Sequence, residues 1–323
     1  MQPTESNRRT FLRQGLAAGA AGWALTNATA AGYARAIGAN DRVNVGLIGC
    51  GGRGQFILSQ MLKPHPNVAV TAICDIWKQR RESYPDAAEK LFGAKPKAYH
   101  DYRELLTSND VDAVIIATPD HQHAGQTIDA VKAGKHVYVE KPIIGIAEDL
   151  DTLNKLYDTV KASKMAVQHG THGVSGPAAR ALKQFIAEKK LGKLFRVEGT
   201  ETAYAPYWVG YPGPKNEADT DWKAWLYNRK DRPFDAHMHA SWMGYWEITS
   251  GTIGGWMTHF INAVHYVTGA AAPVSATAWG GKYAPTNDPR CTAPDNTMVM
   301  LDYAEGFHTQ LGVTRRARPH KVL

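Results

Sequence analysis

A glycine-rich turn set between an apolar run and a helical pattern constrains this chain most. Val43-Asn44-Val45-Gly46-Leu47-Ile48 reads as a buried strand, and Gly49-Cys50-Gly51-Gly52-Arg53-Gly54 follows it directly. The glycines at 49, 51 and 54 fit G-x-G-x-x-G. Gly49 permits a tight turn, Gly51 lets the backbone approach a pyrophosphate, and Gly54 lets helix and strand pack closely. A helix starting there presents oriented N–H groups and a partial positive charge to phosphate oxygens. The next apolar run, Val68 to Cys74, ends in Asp75. That acid lies close to the roughly 20-residue spacing at which a carboxylate meets a ribose. The pattern points to a βαβ unit that binds a dinucleotide.

From Val43 strands and helices alternate. Helices are expected over 52–62, 80–91, 102–107, 123–133 and 148–162, and strands over 68–74, 111–117, 136–139 and 165–168. Alternation with near-continuous apolar strands predicts a parallel, doubly wound sheet. Past about residue 170 the texture changes. A helix over 177–190 leads to a strand over 195–204, and an aromatic-rich stretch runs to Trp246. A short helix over 259–267 precedes strand-like runs over 274–283, 297–303 and 307–314. The expected fold is α/β: a Rossmann-type sheet over 43–163, then a second α/β domain over 164–323 with an open, mostly antiparallel sheet. The last strand would form an exposed sheet edge, to be covered by a partner copy or by chain beyond residue 323.

A chain of 323 residues is long enough for two cores, and 44% hydrophobic with 21% charged residues is ordinary for a globular protein. The formal net charge of +7 includes Arg8, Arg9 and Arg13. Beyond Arg315-Arg316-Ala317-Arg318 no basic stripe exists, so nucleic acid is not an expected partner. Asn7-Arg8-Arg9-Thr10-Phe11-Leu12-Arg13 resembles a twin-arginine export signal, with a small-residue apolar stretch behind it and Ala28-Thr29-Ala30 as a cleavage site. Residues 1–30 are read as a removable signal peptide and 31–42 as a linker. The expected mature protein is periplasmic or secreted, with no stable membrane span. Cys50, Cys74 and Cys291 are too few for a disulfide framework.

In an open α/β sheet, ligands bind outside the carboxyl ends of the strands. That rule gathers the glycine turn, Asp75, Thr118-Pro119-Asp120-His121-Gln122-His123, Glu140-Lys141-Pro142 and Gln168-His169. Lys141 has the chemistry of a proton carrier, because desolvation lowers a lysine's pKa until it can share a proton with a substrate hydroxyl. His237-Met238-His239, with His169 and His172 in another loop, lacks the Cys or carboxylate partners of a metal site, so no metal is expected. Tyr204, Tyr207, Trp208, Tyr211, Trp222, Trp225, Trp242, Tyr245 and Trp246 suit both a core and a wall on which sugar rings stack.

Together these motifs resemble the glucose–fructose oxidoreductase / inositol dehydrogenase / MocA family. The resemblance rests on the glycine turn, on Ala117-Thr118-Pro119 with His123 behind it, and above all on Glu140-Lys141-Pro142. Thr220-Asp221-Trp222-Lys223-Ala224-Trp225-Leu226 followed by Arg232-Pro233-Phe234 resembles a segment of its exported members. It covers residues 43 to about 314 and implies an NAD(P)-binding domain followed by a substrate domain that forms homo-oligomers through its open sheet. It also implies that Gly49, Gly51, Gly52, Arg53, Gly54, Asp75, Thr118, Pro119, His123, Glu140 and Lys141 hold the cofactor. Lys141, Gln168, Trp222, His259 and Asn262 would meet the substrate, with Lys141 and His259 catalytic.

The chain departs from the family at G-G-x-x-x-D-x-G-x-H-x-x-D. His259 keeps the acid/base position, but Gly255 and Asn262 stand where carboxylates are usual. Gly254-Gly255-Trp256-Met257-Thr258-His259 also resembles the Tyr-Pro-Thr-His segment of the family's NAD-dependent glycosidases. Three readings stay open: an exported NAD(P)-dependent oxidoreductase acting on a sugar or cyclitol, a redox-cycling glycosidase, and a catalytically silent nucleotide- or sugar-binding protein. Asp75 favours NAD over NADP because a carboxylate repels a 2′-phosphate, while Arg80 and Arg81 keep NADP open. Twin-arginine export carries folded proteins, which implies a tightly held cofactor.

Overall fold

The structure, a computed structural model, describes residues 42–203, 211–283 and 288–315. The segment expected as an export leader, nearly all of the expected linker, the aromatics Tyr204, Tyr207 and Trp208 and the basic tail after Arg315 lie outside those residues. The first unit is built on a six-stranded sheet in the order β3-β2-β1-β4-β5-β6, every neighbouring pair parallel. Its strands are β1 (Val43–Ile48), β2 (Val68–Cys74), β3 (Lys97–Tyr99), β4 (Ala113–Ile116), β5 (His136–Val139) and β6 (Val167–His169). The strand order reverses between β1 and β4, and parallel sheets of this kind bind ligands at that reversal. Leu47, Ile73, Val114 and Ile116 are fully buried. Each such side chain contributes about 1.5–3 kcal/mol relative to exposure.

The helices of this unit are α1 (Gly52–Phe56), α2 (Lys78–Phe92), α3 (Tyr102–Leu106), α4 (His123–Lys132) and α5 (Leu150–Lys161). The helix expected over 52–62 is α-helical only to Phe56 and then widens into π turns over Ile57–Leu62. The three-residue strand β3, not anticipated from sequence, adds the outer edge. Its Lys-Ala-Tyr run is too short and too polar to announce a strand. β6 pairs with β5 through Val137↔Val167 to Val139↔His169. The first sheet therefore extends past residue 163, where the domain boundary was expected.

The second unit carries a four-stranded sheet in the order β7-β10-β9-β8, with strands Arg196–Ala203, Ser275–Gly281, Asn296–Tyr303 and Phe307–Arg315 as β7 to β10. It is mixed: β10 runs parallel to β7 and antiparallel to β9. The last strand is thus interior, not the exposed edge expected for it. Parallel neighbours need a long connection, and here everything between β7 and β10 supplies it, β8 and β9 included. Helices α6 (Pro177–Ala187), α7 (Trp222–Leu226), α8 (Ala236–Ala240) and α9 (Gly251–Thr268) complete the unit. One face of the sheet packs on α9 through Met257, Leu311 and Val313.

α9 starts at Gly251, well before the helix expected from residue 259. Gly254, Gly255 and Thr252 have low helix propensity, so tertiary packing decides here. Gly199 on β7 makes room for it, since a Cβ there would lie 2.4 Å from the Phe260 ring. His259 therefore sits mid-helix, not at a helix start. Among the described residues no helix is long and apolar enough to cross a membrane.

Candidate functional site

The carboxyl ends of the first sheet lie abreast. Gly49 N–H donates to the Cys74 carbonyl, Ala117 N–H to that of Ile48, Glu140 N–H to that of Ile116 and Gly170 N–H to that of Val139, all at 2.8–2.9 Å. This hydrogen-bonded row puts the glycine turn, Asp75, Thr118 and Glu140-Lys141 along one rim. The second unit closes over that rim and leaves a cleft of about 990 Å³.

At one end the residues suit a dinucleotide. Gly49 takes φ +93°, and a Cβ on it would lie 2.7 Å from the Ala117 carbonyl oxygen. Gly52 has nothing within 4 Å of its Cβ position. The first N–H groups of α1 thus meet the cleft without an intrahelical partner, the arrangement that phosphate oxygens require. Asp75 is buried, and its two carboxylate oxygens accept from Cys50 N–H and Trp77 N–H, each at 2.8 Å. Its first task is to hold the turn. The Arg80 guanidinium lies 4.0 Å from Asp75 and 4.7 Å from the Trp77 ring centroid, lining the same end of the cleft.

At the other end stand Arg53, Glu140, Lys141, His172 and His259. Glu140 is buried, and its Oε1 accepts from Arg53 Nε at 2.7 Å and from the Tyr138 hydroxyl at 3.3 Å. Arg53 also reaches His172 Nδ1 at 3.4 Å. The His172 and His259 rings meet edge to face at 5.3 Å. Lys141 Nζ donates to the Gly255 carbonyl oxygen at 2.6 Å. A backbone oxygen of α9 therefore meets the lysine. Burial lowers the Lys141 pKa from the ordinary 10.5, opposed by the charges of Asp120 and Glu140. Burial and then the Lys141 charge push His259 down to about 4, so it is neutral near pH 7. Burial pushes Asp120 up to about 6, while nearby His123 and a hydrogen bond from Thr249 hold it back.

Several residues expected at the site lie elsewhere. Gly54 is buried behind the turn, where a Cβ would come 2.3 Å from the Gly49 carbonyl oxygen, so its part is packing. Trp222 is a core residue: it stacks on Trp225 at 4.7 Å, and its Nε1 donates to the Arg232 carbonyl. Gln168 is exposed in the middle of β6, with its amide turned to the His169 carbonyl. Asn262 lies farther along α9, where the helix has left the cleft for the sheet. His123 reaches the cleft wall, but both ring nitrogens meet carbonyl oxygens, those of Pro142 at 2.7 Å and Thr118 at 2.8 Å. It staples two strand-end loops together.

Thr249 was not anticipated from sequence; it is buried in the second unit, and its hydroxyl donates to buried Asp120 of the first at 2.6 Å. His172 and His239, expected as substrate-pocket or surface histidines and not as metal ligands, both line the cleft. Only the folded packing brings these together.

The model for the oxidoreductase family with an NAD-binding Rossmann fold matches residues 43–171, and that for the GFO/IDH/MocA C-terminal domain matches residues 179–322. The chain belongs to the Gfo/Idh/MocA family. Among its relatives, levoglucosan dehydrogenase of Pseudarthrobacter phenanthrenivorans is 28% identical over 301 residues, covering 86% of this chain and 68% of that one. A glycosyl hydrolase family 109 protein of Saccharopolyspora erythraea is 33% identical over 175 residues, 49% of this chain and 37% of that one. The solved structure of levoglucosan dehydrogenase with NADH and levoglucosan has a TM-score of 0.63 at 25% identity, covering 86% of this chain and 68% of that one. The chain thus spans about two-thirds of the dehydrogenase's length and little more than a third of the glycosidase's.

Proposed function

We propose that this protein is an NAD-dependent oxidoreductase acting on a CH–OH group of a sugar or cyclitol. The observation that carries the proposal is Lys141, half-buried at a strand end beside the glycine cradle and tied to α9 one helical turn before His259. When bound, a nicotinamide supplies the two-electron acceptor. The chain's own residues manage the proton. Neutral Lys141 accepts it from the substrate hydroxyl, with neutral His259 as a second hydrogen-bond partner for the same oxygen. Trp256 and Tyr211, both on the cleft wall, offer faces for a sugar ring. Asp75 disfavours a 2′-phosphate, while Arg80 beside it would tolerate one.

Oxidation by this route is expected to rise with pH through the lowered Lys141 pKa, since only the neutral amine accepts a proton. With His259 titrating near 4, no separate histidine limb is expected between pH 6 and 8. A profile of kcat/KM against pH checks both; a limb near the ordinary histidine value would assign the proton to another group.

The likeness to a family 109 protein keeps redox-cycling hydrolysis as a second reading. Sugars and chromogenic glycosides mixed with the protein separate the two. NADH formation with sugar supports the dehydrogenase, aglycone release without net NADH supports the glycosidase, and neither across a broad panel leaves a silent binding protein. Export through the Arg8-Arg9 leader with the nucleotide already held belongs to the same proposal. Cell fractionation, and the nucleotide released on denaturation, test it.

The open face of the second sheet carries Trp279, Met298 and Met300, 59%, 40% and 46% exposed. A patch of this kind marks an interaction site, and we assign it to a second copy of the chain. Trp279→Asp is expected to shift the protein to a smaller species in sedimentation; an unchanged mass would remove the assignment.

A further inference from the structure

Lys141 leaves the first sheet on a segment that returns to it at α5. Asp149, at the head of α5, closes that segment on itself. Its Oδ2 accepts from Gly145 N–H at 3.2 Å and from Ile146 N–H at 3.3 Å. From the second unit Arg229 grips both oxygens, Nη1 to Oδ1 at 2.8 Å and Nη2 to Oδ2 at 2.7 Å. Asn228 adds a bond to Oδ1 at 3.3 Å. The two charged side chains are only 10% and 5% exposed.

The same segment touches the lead-in to α9. A Cβ on Gly145 would lie 2.5 Å from the Ile248 carbonyl oxygen, so the two backbones are in direct contact. Ile248 is followed by Thr249, which donates to Asp120 and accepts from Gly251 N–H where α9 begins. Lys141 and Gly255 meet just beyond this junction. The chain that carries the lysine and the chain that carries its acceptor are thus clamped together on one side of their contact.

We propose that the Asp149–Arg229 pair is a positioning device for Lys141, setting where the amine stands against α9. A buried ion pair is weak evidence for stability, because apolar residues of similar volume often serve the fold as well. What a bidentate fork supplies is a fixed distance and plane. Here it fixes the backbone on which the amine hangs. Around that amine stand the Gly255 carbonyl, Asp120, Glu140, Arg53 and His259, so a shift of its stem changes what the nitrogen faces.

The inference rests on Lys141 being the proton carrier, so its test reads the lysine without any sugar. The full chain is acylated with trace acetic anhydride across a pH series, and labelling of each lysine is measured by mass spectrometry. Lys135 is the internal control, because its ammonium is held by the Ser108 and Val111 carbonyls inside the first unit. In Asp149→Asn and Arg229→Lys the Lys141 midpoint is expected to move up toward that of surface lysines while Lys135 stays in place. An unmoved Lys141 midpoint in a folded variant overturns the proposal. So does a shift shared by Lys135, which would show that the pair only holds the fold. Failure of the sugar oxidation assay alone would bear on the proposed reaction and not on the clamp.

Discussion

Lys141→Ala is expected to lower turnover by about 10²- to 10⁴-fold, the range for removing a positioned proton-transfer group. The side chain touches α9 through one hydrogen bond to the Gly255 carbonyl and lies outside the glycine cradle. Its loss should therefore leave NADH affinity near that of the parent protein. Single-turnover rates and an NADH fluorescence titration, taken together, check this. Turnover kept within a few-fold would remove Lys141 from the mechanism. The alanine also leaves Gly255 with one acceptor bond fewer, but that oxygen belongs to a helix and retains its ladder partner, so the fold should hold.

Gly54→Ala is expected to cost cofactor affinity instead. The added methyl would fall 2.3 Å from the Gly49 carbonyl oxygen and 3.1 Å from Leu47 Cδ1. The first contact is with backbone, which cannot rotate away. α1 must lift from β1, and the N–H groups at its start tilt with it. Overpacking of this kind costs about 1–3 kcal/mol, and every 1.4 kcal/mol lost from binding is about tenfold in Kd. NADH binding should weaken by about ten- to a hundredfold, read by the same titration. An unaltered Kd would mean that the turn does not position the phosphates.

What the sequence made legible is local. The strand-turn-helix around Gly49–Gly54 and the Lys141 strand end are short motifs whose chemistry is written in consecutive residues. β1, β2, β4, β5 and β6 followed from apolar runs between turn signals, whereas the polar three-residue β3 did not. The parts that stayed hidden are relations between distant residues. Arg229 and Asp149 lie 80 positions apart, and neither neighbourhood announces a partner. The acceptor for Lys141 is a backbone carbonyl, which no side-chain pattern can betray. Trp222 looked like a substrate wall because aromatic residues serve cores and sugar sites alike; its stacking on Trp225 settles it as core. The start of α9 was missed because Gly254 and Gly255 argue against helix locally, while Met257 and Val264 pay the difference through burial.

The placement of β10 between β7 and β9 has a consequence for biogenesis. A ribosome delivers β7 long before the strand that will lie beside it. The first unit has its six described strands by His169 and can collapse during synthesis, whereas β7 must wait, unpaired on its inner side, until β10 emerges. α9 rests against β9 and β10, so the helix that meets Lys141 gains its bed only then. Such long-range pairing folds slowly. The nucleotide cradle would thus exist in the nascent chain before there is any site for chemistry, and the catalytic half of the cleft would be made only after β10.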